Sequence, residues 1–348
     1  MNNSFSAMQV SEYINAKNFS NLPFTVSKNV LSILENIKNA DKDFSGILNQ
    51  VLPTEKENEI FSIETEDPLG AKNYSVTPYF IHQYKNRGLI LTTSNCFAYC
   101  RYCFRKDYVS CNNSFIDDSA LDEICDYLEK NPQVKELLFS GGDPLVLSDE
   151  RLDSMIQKIK SIRPNMIIRL CSRAIFFNPE RITDKFISMI KKYSGIWFIP
   201  HINHPFEVDK NFAKNSVDAI IRLRNAGIPI QSQTVLLKNI NDDLSTLESL
   251  FNLLVELGIK PGYLFQCDLA KGTSHFRVPI DEACDLYSKL KDELSGLSLP
   301  KFAVDIPGGG GKFNLENLIQ SENKFSISQN EEFYFFEKEN KVYKYPKQ

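Results

Sequence analysis

Cys96, Cys100 and Cys103 sit in one short run, Cys96-Phe-Ala-Tyr-Cys100-Arg-Tyr-Cys103. Thiolates this close together serve iron or zinc. A cubane iron–sulfur cluster takes four thiolates, and this run supplies three. One iron is then left to bind something other than the protein. The competing chemistry is a zinc site completed by a distant Cys or His. Zinc sites favour paired C-x2-C units set well apart, and no second pair exists in the chain. A third reading is a cluster of plain reduced thiols. The other five cysteines (Cys111, Cys125, Cys171, Cys267 and Cys284) are scattered. A disulfide framework is therefore not expected, and a reducing, cytoplasmic setting is.

Lys312 is the second residue type that invites chemistry. It follows four consecutive glycines, Gly308 to Gly311. Glycines let a backbone approach a bulky ligand closely, and a lysine amine forms a Schiff base with pyridoxal phosphate (PLP). Other polar residues stand in short sets: Ser140-Gly141-Gly142-Asp143, Ser172-Arg173, His201-Ile-Asn203-His204, Gln231 with Gln233, Gln266-Cys267-Asp268, and Asp305. Singly, each has an ordinary explanation. Lys312 reads as a solvated lysine, Asp305 as a turn residue before Pro307, Asp268 as a strand-end cap and Gly141-Gly142 as a turn.

The elements that would position these groups change that weighting. Apolar runs read as strands at Leu89-Ile-Leu-Thr-Thr, Glu136-Leu-Leu-Phe-Ser, Met166-Ile-Ile-Arg-Leu, Gly195-Ile-Trp-Phe-Ile, Ile228 to Leu236, Gly262-Tyr-Leu-Phe-Gln and Phe302-Ala-Val-Asp. A capped helix from Asp117 and helical patterns over 148–163, 179–193, 209–226, 243–258 and 279–296 separate them. This alternation predicts an α/β fold, a partial or full (β/α) barrel. No G-x-G-x-x-G opens the first helix, which argues against a dinucleotide fold. Most of these polar sets follow a strand, at the end where barrel enzymes build their sites, and the fifth strand carries Gln231 and Gln233. Residues 1–85 read as a helical and irregular extension, with an amphipathic stretch from Val30. Residues 86–312 form the core. Residues 313–348 carry a short β appendage, with strands at Lys324-Phe-Ser-Ile-Ser, Phe333-Tyr-Phe-Phe-Glu-Lys and Lys341-Val-Tyr-Lys-Tyr. The net charge of −4, with both signs interspersed, gives no basic stripe for nucleic acid or a membrane surface. No apolar run is long enough to span a bilayer. The amino terminus lacks a secretory signal pattern.

Taken in order, the runs Cys96-x3-Cys-Arg-x-Cys-x-Arg, Ser-Gly-Gly-Asp-Pro-Leu, His-x-Asn-His-Pro, Gln-Cys-Asp-Leu and Asp-x-Pro-Gly-Gly-Gly-Gly-Lys resemble the lysine 2,3-aminomutase family of radical S-adenosylmethionine (SAM), PLP-dependent enzymes. The resemblance runs from about Asp67 to Lys312. It implies a partial (β/α) barrel of the radical SAM type, with a 4Fe–4S cluster on Cys96, Cys100 and Cys103. It also implies SAM at the open iron and PLP on Lys312. Arg87 matches an arginine near the PLP phosphate, and Arg105 the arginine that pairs with the substrate carboxylate. Asp268 and Asp305 match the two carboxylates that hold the distal ammonium. Gly141, Gly142, His201 and Gln233 match positions near SAM.

The implied reaction moves the α-amino group of L-lysine to the β-carbon through a PLP aldimine and a 5′-deoxyadenosyl radical, giving β-lysine. Two carboxylates facing one ammonium suit a basic amino acid, arginine and ornithine being the alternatives to lysine. A non-catalytic iron–sulfur protein of the same fold is the reading from a different class. The implied partners are a small amino acid substrate and an electron donor such as flavodoxin or ferredoxin, with a homo-oligomeric assembly and neither nucleic acid nor membrane. Two departures stand out. Gln83 lies where relatives often carry an arginine, and no cysteine follows Cys284 to build a carboxy-terminal zinc site.

Overall fold

A computed structural model describes residues 22–110, 114–318, 326–338 and 341–347. The fold grows from capped amphipathic helices laid on a parallel sheet. The first is α1 (Lys28–Asn39), capped by the Ser27 hydroxyl, which accepts from the Val30 amide; it buries Val30, Ile33, Leu34 and Ile37. Their partners are Phe176, Phe177 and Phe212 of the main body. This leaves the extension bound along its apolar stripe rather than tethered loosely.

Two antiparallel strands, β1 (Ser75–Thr77) and β2 (Phe80–Tyr84), precede β3 (Arg87–Thr93). The sequence reading placed residues 75–84 in the helical and irregular extension. They instead pair with β3 through Phe80↔Ile90, Ile81↔Leu89 and Tyr84↔Arg87. Phe80 is fully buried in the main core, and that packing overrides the weak local strand signal.

From β3 the strands run parallel in chain order: β4 (Glu136–Gly141), β5 (Ile167–Ser172), β6 (Ile196–Pro200), β7 (Gln231–Leu236), β8 (Lys260–Gln266) and β9 (Lys301–Ile306). Between β6 and β7 the ladder thins to bridges at Phe198↔Ile230 and His201↔Gln233. An antiparallel β10 (Gly311–Asn314) closes the far edge against β9. The ladder does not close on itself, since β1 and β10 are both free edges. Side chains span the gap instead: Gln83 Nε2 donates to the Gly309 carbonyl at 3.3 Å and the Lys312 amide donates to the Tyr84 hydroxyl at 3.0 Å. The architecture is the partial barrel that the strand–helix alternation predicts.

Helices cover the outer face. Asp117, Ser148, Thr183 and Asp243 cap Asp118–Lys130, Asp149–Ile162, Asp184–Ile190 and Leu244–Glu256 by accepting from backbone amides in the first turn. The predicted helix over 179–193 is shorter than expected. Pro179–Arg181 forms a separate 3-10 turn, and Thr183 starts a new helix at Asp184. The helix expected from 209 begins at Lys214.

Along β4, β5 and β7, fully buried and partly exposed residues alternate. The buried set, including Leu137, Phe139, Ile168, Leu170 and Leu236, packs with helix residues such as Ile124, Met155 and Leu250 in one core. The alternate set faces the barrel interior. At the carboxy end β11 (Ser326–Gln329), β12 (Phe333–Lys338) and β13 (Lys341–Pro346) form the expected meander. Lys324 and Phe325, expected in its first strand, lie outside the described residues. Phe336 and Tyr345 anchor the meander in the main core, and the Tyr345 hydroxyl donates to the Cys267 carbonyl at 2.7 Å.

Candidate active site

The cysteine loop leaves β3 at the carboxyl end of the sheet. Its backbone is tied to the extension by the Arg101 amide, which donates to the Gln50 carbonyl at 3.0 Å. The Arg101 side chain is fully buried and grips Glu57 twice, with Nε to Oε1 at 2.9 Å and Nη2 to Oε2 at 2.5 Å. As whole residues, all three cysteines are partly buried. Burial and the Cys100 sulfur push the Cys103 thiol up to about 11; burial, then Asp143 and the other cysteines, hold Cys96 well above the ordinary thiol value. Such thiols stay protonated until a metal takes the proton's place. Among the described residues no three His, Cys, Asp or Glu side chains converge where a single ion would sit.

Gly141 and Gly142 prove to serve the chain's own backbone. A Cβ at Gly142 would lie 2.0 Å from the Asn95 carbonyl oxygen, and one at Gly141, with φ +110°, would lie 2.5 Å from that of Thr93. The two segments are stitched by Gly142 N to Thr93 O at 2.6 Å and Asp143 N to Asn95 O at 2.8 Å. The glycine pair thus seats the residues that lead into Cys96. Asp143 follows, buried, accepting from the Ser172 hydroxyl and the Leu145 and Arg173 amides. Burial raises its carboxyl to about 6 against those hydrogen bonds.

Lys312 and Asp305 are direct cross-strand partners on β10 and β9. Their side chains meet at 2.7 Å, with Lys312 30 % and Asp305 15 % exposed toward the interior. The Lys312 ammonium also lies 4.3 Å from the Phe265 ring centroid, and Phe265 stacks on Tyr263. Burial opposes its charge, yet Asp305, Tyr84 and Asp268 together hold its pKa above the ordinary lysine value. Asp268, just beyond β8, belongs to the same group. Burial, then the Asp305 carboxylate, pushes it up to about 8, while Lys312 and Arg105 pull the other way. Arg105 completes the set; burial lowers its pKa while Cys103, Asp67 and Asp268 support its charge. The fold thereby gathers Arg105, Asp268, Asp305 and Lys312 from the cysteine loop, β8, β9 and β10.

The opposite wall comes from the hairpin that the sequence reading missed. The Arg87 guanidinium stacks 3.8 Å above the Tyr84 ring, and the Tyr84 hydroxyl holds the Lys312 amide. Arg87 opens β3, at the other end of that strand from the cysteine loop. The glycine turn docks on the same wall: Gly308 and Gly309 have φ +70° and +95°. A Cβ at Gly70 would lie 2.5 Å from the Gly309 nitrogen, and the Tyr74 hydroxyl donates to the Gly309 carbonyl at 2.8 Å. This turn needs glycine for its own backbone as much as for any ligand. Gln83, where an arginine is common, instead spends its amide on Gly309. His201 and Gln233 lie side by side across the β6–β7 seam. Burial, then Arg173, drops the His201 pKa to about 3, so the ring is neutral. Sequence reasoning missed Tyr84 and the polar group around Arg173, and it gave Asp143, named within the Ser140–Asp143 set, no role of its own. The only signal for Arg173 was its place at a strand end beside Ser172.

Residues 90–254 match the model of the radical SAM superfamily. An L-lysine 2,3-aminomutase homologue of Treponema pallidum is 45% identical over 276 residues, 79% of this chain and 77% of its own length. The L-lysine 2,3-aminomutase of Acetoanaerobium sticklandii is 37% identical over 278 residues, 80% of this chain and 66% of that one. A glutamate 2,3-aminomutase of Clostridioides difficile is 34% identical over 249 residues, 72% of this chain and 58% of that one. The chain thus spans about two thirds or less of the length of the latter two relatives. Among the described residues no helix is long and apolar enough to cross a membrane. Radical SAM domains work with a 4Fe–4S cluster and SAM, and lysine 2,3-aminomutases, which are isomerases, are PLP-dependent. By its radical SAM core and its identity over most of the chain, this protein belongs to the lysine 2,3-aminomutase family.

Proposed function

We propose that the protein is a lysine 2,3-aminomutase that shifts the α-amino group of L-lysine to the β-carbon. The carrying observation is one buried group of two carboxylates, one lysine and one arginine: Asp268, Asp305, Lys312 and Arg105. Cys96, Cys100 and Cys103 hold the cluster, and Lys312 holds PLP. When bound, the cluster with SAM supplies a hydrogen-abstracting radical, and PLP supplies a π-system that delocalises the unpaired electron.

The chain's own residues do the rest. In the structure the Lys312 ammonium sits against Asp305. Lys312 would hold PLP through that amine, which would leave Asp305 without this cation and beside the Asp268 carboxylate. A substrate ammonium fills that vacancy, and Arg105 offers a fork to the substrate carboxylate. The two ends of lysine are then fixed at opposite signs, which holds Cα and Cβ in one place. Arg87 and the glycine turn are the groups suited to the PLP phosphate, and His201 and Gln233 face the interior beside the cysteine loop. Glutamate would bring a further negative charge against Asp268 and Asp305, a like-charge contact that costs several kcal/mol. That favours a basic substrate despite the glutamate-acting relative. The reading requires a one-electron donor of the flavodoxin or ferredoxin type.

The test is an anaerobic product assay with iron-loaded protein, PLP, SAM and reductant, offered lysine, arginine, ornithine or glutamate in turn. β-Lysine from lysine, in excess over any product from the others, is the expected result. A β-amino acid formed from glutamate but not from lysine would refute the assignment.

A further inference from the structure

Behind the cysteine loop lies a buried polar group centred on Arg173, at the end of β5. Its side chain is 7 % exposed. Nη1 donates to Cys100 Sγ at 3.0 Å and to the Tyr102 hydroxyl at 2.6 Å; Nη2 donates to Gln50 Oε1 at 3.1 Å and Glu207 Oε2 at 2.9 Å. The rings of Phe176 and Phe177 lie 4.7 and 4.8 Å from the guanidinium. Asn203 Nδ2 also donates to the Tyr102 hydroxyl, at 2.6 Å. With two donors on its oxygen, that hydroxyl has its own proton left to give, and the Cys100 sulfur is a neighbour able to accept it. Glu207 is fixed in turn by Gln50 Nε2 and the Asn203 and His204 amides. No member of this group can swing away without leaving a buried partner unpaired.

We infer that Arg173 and Tyr102 form a donor pair on Cys100 Sγ that raises the reduction potential of the cluster and so eases its reduction. The inference rests on the reading that Cys100 is a cluster ligand. Reduction adds negative charge that spreads onto the ligand sulfurs. Hydrogen bonds to those sulfurs stabilise the reduced state more than the oxidised one. Arg173 is thus a positioning residue: it acts through Cys100 and not on the substrate.

The test is a redox titration of iron-loaded protein, followed by the signal of the reduced cluster, with iron counted in each sample. The variants are Tyr102→Phe, Arg173→Lys, and the double variant Arg173→Met with Glu207→Gln, which removes the ion pair without leaving a buried lone charge. The double variant, with full iron, is expected to raise the ratio of oxidised to reduced cluster at a fixed potential about tenfold or more, a negative shift of about 59 mV per tenfold for one electron. Tyr102→Phe shifts the same way by a smaller factor, and Arg173→Lys falls between wild type and the double variant. Iron-loaded variants with the wild-type potential would overturn the inference. If the double variant takes up no iron, Tyr102→Phe decides: an unmoved potential there refutes the donor pair. A wild-type chain that binds no iron, or a Cys100→Ala variant that keeps the wild-type cluster, fails the ligand reading itself, which separates the two failures.

Discussion

Asp268→Asn is the sharpest perturbation of the pocket, because its effect should depend on pH in a calculable way. Asp268 keeps its proton up to about 8, through burial first and Asp305 second. A bound ammonium needs it ionised. Below pH 8, ionising it costs about 1.4 kcal/mol per pH unit, so wild-type affinity for lysine falls about tenfold per unit. The amide of Asn cannot ionise, so the variant lacks this slope. Losing one charge-assisted contact of a buried pair costs about 2–3 kcal/mol, or roughly 30- to 150-fold. The defect should therefore be largest above pH 8 and shrink by up to about tenfold per unit as the pH falls below the Asp268 pKa. Calorimetric titration of lysine into PLP-loaded protein without SAM reads this directly, and wild type alone should release a proton on binding near pH 7.

The same shift bears on stability. The unfolded carboxyl releases its proton near 4, so between about pH 4 and 8 the folded chain holds more protons than the unfolded one. Stability of the empty protein then falls as pH rises through that window, and Asp268→Asn removes the fall. A variant whose lysine affinity keeps the wild-type slope, or whose defect is the same at pH 6 and 8, would falsify the assignment of Asp268 to the ammonium.

Two further predictions concern the frame. Gly142→Ala places a methyl where the Asn95 carbonyl already stands; a loss of about 3 kcal/mol and reduced iron uptake should follow in denaturant titration and iron assay. Gly296→Ala, with open space around it, should change neither, and equal behaviour of the two would sink the packing argument. Arg101→Met strands the buried Glu57 carboxylate, so stability should drop by about 3–5 kcal/mol, and pairing it with Glu57→Gln should restore part of the loss in the same unfolding assay.

Much of this candidate site is legible in the sequence. The cysteine spacing, Lys312 behind its glycines, and the strand-end positions of Asp268 and Asp305 all depend on local patterns: short-range spacing and the alternation of apolar strands with helices. The hairpin wall was not legible. Phe80 to Tyr84 has little strand signal of its own and becomes a strand only because Phe80 is buried against Ile90 and Tyr127. Tyr84 was missed with it, since nothing local says that its hydroxyl will meet the Lys312 amide 228 residues away in sequence. Nor was a second reason for Gly141-Gly142 legible: beside the SAM-side position expected of them, in the fold they make room for the chain's own carbonyls at Thr93 and Asn95.

The sequence alone determined the chemistry on offer: three thiols, a lysine on a glycine turn, an arginine and two aspartates, each at a strand end. Those are properties of residue type and period, which need no long-range contact to be read. Only the tertiary structure decided how they balance. It set Asp305 against Lys312 at 2.7 Å, raised Asp268 by pressing it toward a second carboxylate out of water, and aimed Arg173 at Cys100. Such effects arise from burial and from charges brought close by distant segments. Coulomb energies and desolvation depend on distance and dielectric, which no one-dimensional pattern carries.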